Sequence, residues 1–131
     1  MKINFVTSED SYQLAELIIL CESLVDIDDD IVSAEVSNLA DEEADLNVYL
    51  DASNFDPETT TETAVLVTDE YVFDSTGEFL LDAADKIACS SPQLQQDVYE
   101  YSGNLAAIIT IDEDFDYDAW TEFLKGEAYL D

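Results

Sequence analysis

The chain has 131 residues, 47% of them hydrophobic and 11% aromatic, and it carries 33 Asp and Glu against three Lys, with no Arg and no His, for a formal net charge of −30. That length sets one domain with enough apolar material for a core, and the apolar content excludes a disordered acidic tail. With so few cations the chain cannot grip phosphate, which excludes direct nucleic-acid binding and disfavours anionic membrane surfaces.

Met1-Lys2 leads straight into Ile3-Asn4-Phe5-Val6, so no secretory leader is expected and the cytoplasm is the expected compartment. Residues 2–6 read as a short strand. Thr7 or Ser8 is placed to cap a helix whose first turn holds Glu9 and Asp10, where the helix dipole favours them. Leu14, Leu17, Ile18, Cys21, Leu24 and Val25 recur at helical spacing and predict one apolar stripe to about residue 25. The run Asp26-Ile27-Asp28-Asp29-Asp30 interrupts it. Val32, Ala34 and Val36 alternate like a strand, whereas Ile31, Ala34 and Leu39 also suit a helix, and the acids before them tip the reading to helix. Residues 46–50 suit a strand or the end of a helix.

Asn54 to Thr61 reads as a loop around Pro57. Thr63–Thr68 and Glu70–Phe73 read as two strands joined in a hairpin near Asp69. Ser75-Thr76-Gly77-Glu78 matches a capping box, and Phe79, Leu80, Ala83, Ala84, Ile87 and Ala88 form the apolar face of the helix it opens. Ser90 or Ser91 followed by Pro92 starts another helix, carrying Leu94, Val98 and Tyr101 and ending at Gly103. Leu105 to Ile111 is apolar and β-branched enough for a buried strand. Asp116 or Asp118 then caps a last helix with Trp120, Phe123 and Leu124 on one face. The order shows no βαβ regularity, so the expected class is α+β: one compact domain over residues 1–131, with a small sheet packed among several helices. Cys21 and Cys89 both fall in helical apolar patterns and read as buried thiols rather than a disulfide.

The acids cluster. The densest groups are Asp26, Asp28, Asp29 and Asp30; Asp41, Glu42, Glu43 and Asp45; and Asp112, Glu113, Asp114, Asp116 and Asp118, with Glu122 following. Two of these groups contain Asp-x-Asp-x-Asp, the opening of an EF-hand loop. The first puts Ile31 where the loop needs Gly and Ser37 where it needs the bidentate Glu; the second puts Tyr117 and Phe123 there. Neither is a dedicated calcium loop, and no metal or cofactor is expected. Catalysis has no His base, no phosphate-binding glycine loop and no nucleophile elbow to work with. A pair of carboxylates among so many carries no information, so no catalytic residue is assigned. High-salt adaptation would account for Asp and Glu on a surface, but it gives no reason to discard Arg.

Duplex DNA presents one charge per ~1.7 Å of axis, so thirty charges correspond to roughly fifteen base pairs. A domain of this length has a radius of gyration of about 14 Å, which brings its charge density near that of the duplex. A protein built to bind phosphates would be attracted to such a surface. The profile resembles that of phage and plasmid DNA-mimic proteins, the anti-restriction proteins Ocr and ArdA and acidic anti-CRISPR proteins. Phe115-Asp116-Tyr117-Asp118-Ala119-Trp120-Thr121-Glu122-Phe123-Leu124 is similar to the C-terminal segment of ArdA; the likeness does not extend to residues 1–25. It implies a non-enzymatic inhibitor acting inside a bacterial host cell, which occupies the nucleic-acid groove of a restriction–modification enzyme or CRISPR effector through the three clusters. The partner is then a basic nucleic-acid-binding protein, with homodimerisation left open. The alternatives are an acidic module or chaperone for a basic protein, or a calcium-binding or halophilic protein without mimicry. Of the clusters, 112–118 is expected to contribute most, because a strand and a helix hold it.

Overall fold

In the computed structural model the described residues are 1–7, 14–50, 55, 62–68, 71, 73–103, 106–109 and 117–125. Strand β1 (Lys2–Val6) lies between β2 (Ser33–Ser37) and β3 (Leu46–Tyr49) and pairs parallel with both. The sheet continues through β4 (Glu62–Val67), β5 (Lys86–Cys89) and β6 (Ala107–Ile108) in the order β2-β1-β3-β4-β5-β6, every pairing parallel. β1, β3, β4 and β5 are buried nearly throughout, as strands covered on both faces must be.

The helices follow from the direction in which the chain moves across this sheet. Helix α1 (Leu14–Ile27) joins β1 to β2 in one direction, whereas α2 (Ser75–Ala83) and α3 (Pro92–Ser102) join β4 to β5 and β5 to β6 in the other. Right-handed crossovers then put α1 on one face and α2 and α3 on the opposite one. Helix α4 (Tyr117–Lys125) returns to the α1 face and fills the area the crossovers leave bare. There Ile3, Phe5, Val48, Leu66 and Ala88 lie beneath Leu17, Leu20 and Leu24 of α1 and Trp120, Phe123 and Leu124 of α4. Trp120 is fully buried, edge-on to Phe5 at 6.0 Å. On the other face Val65, Val67, Ile87 and Cys89 lie beneath Leu80, Leu81, Leu94 and Val98. Buried Lys86 closes α4: its Nζ donates to the Leu124 carbonyl at 2.9 Å and pairs with Glu62 at 3.1 Å, placing a cation at the helix's negative end.

The expected single domain, a small sheet packed among several helices, is present, and its arrangement is α/β. Parallel pairing was not legible because the β2–β3 connection, residues 38–45, contains no helix and interrupts the alternation. Residues 33–37 form a strand, not the helix expected, since β1 offers them an open edge. The hairpin across residues 63–73 is also corrected: β4 is flanked by β3 and β5, so no second strand can fold back on it, and the described Tyr71 and Phe73 lie outside any strand. Asp74, not Ser75, caps α2, its Oδ1 accepting from Gly77 N at 2.8 Å. That helix stops at Ala83, and Ile87 and Ala88 belong to buried β5 instead of its apolar face. Ser91, Pro92 and Gly103 bound α3 as the sequence predicts, Gly103 in the left-handed conformation at φ 76°.

On the α2/α3 face, the described residues that cover β1 and β3 belong to the connection 38–45 and to Phe55, not to a helix. Neutral side chains hold that connection. Asn4 Nδ2 donates to Leu39 O at 3.0 Å and to Asn47 Oδ1 at 2.9 Å; Asn47 Oδ1 also accepts from Asp41 N, and Asn47 Nδ2 donates to Asp41 O at 3.0 Å. Asn47 is fully buried. Asn47→Leu strands three of these groups and is expected to destabilise the chain by about 2–3 kcal/mol. The readout is a lower urea midpoint with an unchanged slope.

Candidate functional site

Two of the three acidic clusters meet at the amino-terminal edge of the sheet. Asp26 stands in the last turn of α1, and Asp28, Asp29 and Asp30 in the turn that leads to β2. Asp41 to Asp45 precede β3. Both connections enter strands that flank β1, so the start of β1 runs between them. The Met1 amino group donates to the Asp30 carbonyl at 2.6 Å, and Val32 N donates back to Met1 O at 2.9 Å. On the other side Lys2 N donates to Asp45 Oδ2 at 2.7 Å, Asp45 N donates to Lys2 O at 2.8 Å, and Lys2 Nζ pairs with Asp41 at 3.5 Å.

Each cluster is also fixed internally. Asp28 Oδ1 accepts from Asp30 N at 3.0 Å, and Asp41 Oδ1 accepts from Glu43 N at 2.9 Å, both local Asx turns. Ile31 and Ala44 are buried and anchor the two segments to the core. Asp26, Asp29, Asp30, Glu42, Glu43 and Asp45 are exposed; Asp28 and Asp41 are half-buried.

The first cluster is placed against the helix dipole. Carboxylates at a helix C-terminus are destabilising by a few tenths of a kcal/mol or more each, and the last turn of α1 holds no basic residue to offset them.

Of the third cluster, Asp118 and Glu122 are exposed on α4. α4 crosses the sheet with the Leu124 carbonyl at Lys86 of β5 and Trp120 against Phe5 of β1, two positions that the register sets level with each other. Asp112, Glu113, Asp114 and Asp116 lie outside the described residues. Among the described residues no three His, Cys, Asp or Glu side chains converge as a metal-holding group.

Sequence reasoning missed the residues that position the acids. Asn4 and Asn47 were each visible as a lone amide inside an apolar strand, the signal that could have found them. It also misjudged α1: Leu20 is buried, while Ile18 and Val25, expected in the stripe, are exposed at 46% and 38%.

Cys21 and Cys89 are free and buried. Burial, with Glu22 and Glu35 nearby, pushes the Cys21 thiol up to about 12 from 9.0; burial also raises Cys89. The chain matches no protein-family model, no curated protein and no solved structure.

Two outcomes follow. The folded state holds the Cys21 proton more tightly than the unfolded chain, so that contribution to stability is complete below pH 9 and is lost as pH rises toward 12. Native Cys21 should accordingly react with iodoacetamide at pH 8 at least about a hundredfold more slowly than in urea, as read by mass spectrometry. Because like charges crowd the surface, the melting temperature should rise as salt increases from about 0.02 M to 0.5 M, where the screening length falls well below 10 Å. A chain unfolded at ~0.15 M salt would instead identify an obligate halophile.

Proposed function

We propose that this chain is a protein mimic of nucleic acid. It inhibits a DNA- or RNA-binding defence protein, with restriction–modification enzymes and CRISPR effectors as the leading candidates, by occupying the groove that normally holds phosphates. The observation that carries the reading is the amino-terminal edge: two acidic clusters pinned on either side of Met1 and Lys2 by the Met1 amine, by the amides of Asn4 and Asn47, and by backbone N–H groups donating to Asp28, Asp41 and Asp45. One of them lies where the helix dipole opposes it. Preorganised charge loses little freedom on binding, and carboxylates match the Lys and Arg of a phosphate-binding channel. No step of covalent chemistry is required. The mode of action is the one implied by the likeness of residues 115–124 to ArdA, and the source would then be a phage or mobile element evading host defence.

The test is a pull-down from bacterial lysate on the immobilised chain, with and without added duplex DNA. Captured nucleic-acid-binding proteins should be displaced by the DNA. A basic partner indifferent to DNA would favour the acidic-module reading. On the captured target, changing Asp26, Asp29, Glu42 and Glu43 to their amides is expected to weaken binding at least tenfold and to flatten its salt dependence. The same change at Glu78, Asp82, Asp97 and Glu100 on α2 and α3 should do much less. Equal losses would mean that net charge alone acts, and no loss in either set would sink the reading.

A further inference from the structure

The outer edge of β2 has no strand beside it among the described residues. Val32 N donates inward to Met1 O. Within β2 the Ser37 carbonyl also turns inward, accepting from Thr7 N, and backbone groups of successive strand residues point to alternate edges, so the N–H and C=O of Ala34 and Val36 point outward. Beside this edge lies an open groove of about 530 Å³ between β2 and α1, lined by Cys21, Val25, Val32 and Ala34 together with Glu22, Asp26 and Glu35. Its apolar part is poorly covered: Val32 is 69% exposed and Val25 38%. The Ser33 hydroxyl oxygen, sheltered on the wall of the groove, has no hydrogen-bond partner. Every charged side chain lining the groove is acidic.

We propose that this groove and edge form a docking site for an extended basic segment of a partner protein, which adds to the sheet as a strand beside β2. The backbone groups of Ala34 and Val36 would supply the ladder, Val25, Val32 and Ala34 would receive apolar side chains, and Glu22, Asp26 and Glu35 would pair with alternating Lys or Arg. Charge selects this occupant over a second copy. Two β2 edges brought together would set Glu35 and the other acids against their own twins, and like charges across a strand pair are destabilising. The proposal goes beyond mimicry, because it relies on backbone pairing and apolar contact and not on charge density. It can fail while the amino-terminal edge still binds a nucleic-acid-binding protein, and the reverse.

The experiment titrates the whole isotope-labelled chain, at ~0.15 M salt, with a capped eight-residue peptide of alternating Lys and Val. A second peptide of the same sequence is N-methylated on alternate residues, which keeps its charge and removes its ladder donors on one edge. The expected result is saturable binding that shifts the amide signals of residues 32–37 most, with affinity at least tenfold weaker for the methylated peptide. Ala34→Pro removes an outward N–H, which an edge strand tolerates, and should weaken the unmethylated peptide at least tenfold without changing any carboxylate. Should that variant fail to fold, the methylated peptide on the native chain decides the matter. Equal affinity for the two peptides, shifts confined to residues 26–30 and 41–45, or no binding would each overturn the proposal. So would a dimer in sedimentation that Ala34→Pro dissolves, since the edge would then belong to a second copy.

Discussion

The constraint on which this structure depends is the shortage of positive charge. With three lysines for 33 acids, ion pairing cannot neutralise the surface, and the described residues form only two salt bridges, Lys2–Asp41 and Lys86–Glu62. Unpaired carboxylates are costly anywhere but in water, so none of the described Asp and Glu residues is buried, Glu35 and Glu62 on strands included, and the interior is held by other means. Those means are close apolar packing on both faces of the sheet and hydrogen bonds between neutral groups. The Asn4–Asn47 bridge occupies a place where a protein richer in Lys and Arg could use a buried ion pair. Lys86 is spent on the end of α4, the helix that carries Trp120 onto the core.

Hydrogen bonds to the backbone of the acidic connections fix their course and leave most of their carboxylates in solvent. Asp41 is held through its backbone N–H and carbonyl by Asn47, and Asp30 through its carbonyl by the Met1 amine. The side chains of Asp29, Glu42 and Glu43 remain exposed to solvent. A rigid backbone bearing free carboxylates is what a substitute for a phosphate backbone requires, and this supports the proposed function over a merely solvating surface.

How much of this was legible depended on whether a residue's neighbours in sequence were also its neighbours in space. The caps of α3 and the Trp120-Phe123-Leu124 stripe of α4 are local patterns, and the structure has them where the spacing predicts. β5 was missed because Lys86-Ile87-Ala88-Cys89 continues the helical spacing of α2; only β4 beside it reveals the strand. β2 was missed for a similar reason, its identity resting on β1 more than thirty residues earlier. The acidic clusters themselves were plain in the sequence. What brings two of them together is the insertion of β1 between β2 and β3, a fact of topology that no spacing encodes. The apolar groove at β2 was hidden because Ile18 and Val25 satisfy a helical stripe even though the sheet does not reach them.

The contact between Phe5 and Trp120 joins the first strand to the last helix, and this has a consequence for how the protein is made. Until α4 emerges from the ribosome, half of one sheet face has no cover, and Phe5, Leu66 and Ala88 are open to water. Parallel sheets closed by such distant contacts assemble slowly and leave sticky intermediates. Here each unfinished chain already carries many more acids than bases, and mutual repulsion keeps such chains apart while they wait. The charge that burdens the finished fold is, by the same repulsion, a barrier to association of the nascent one.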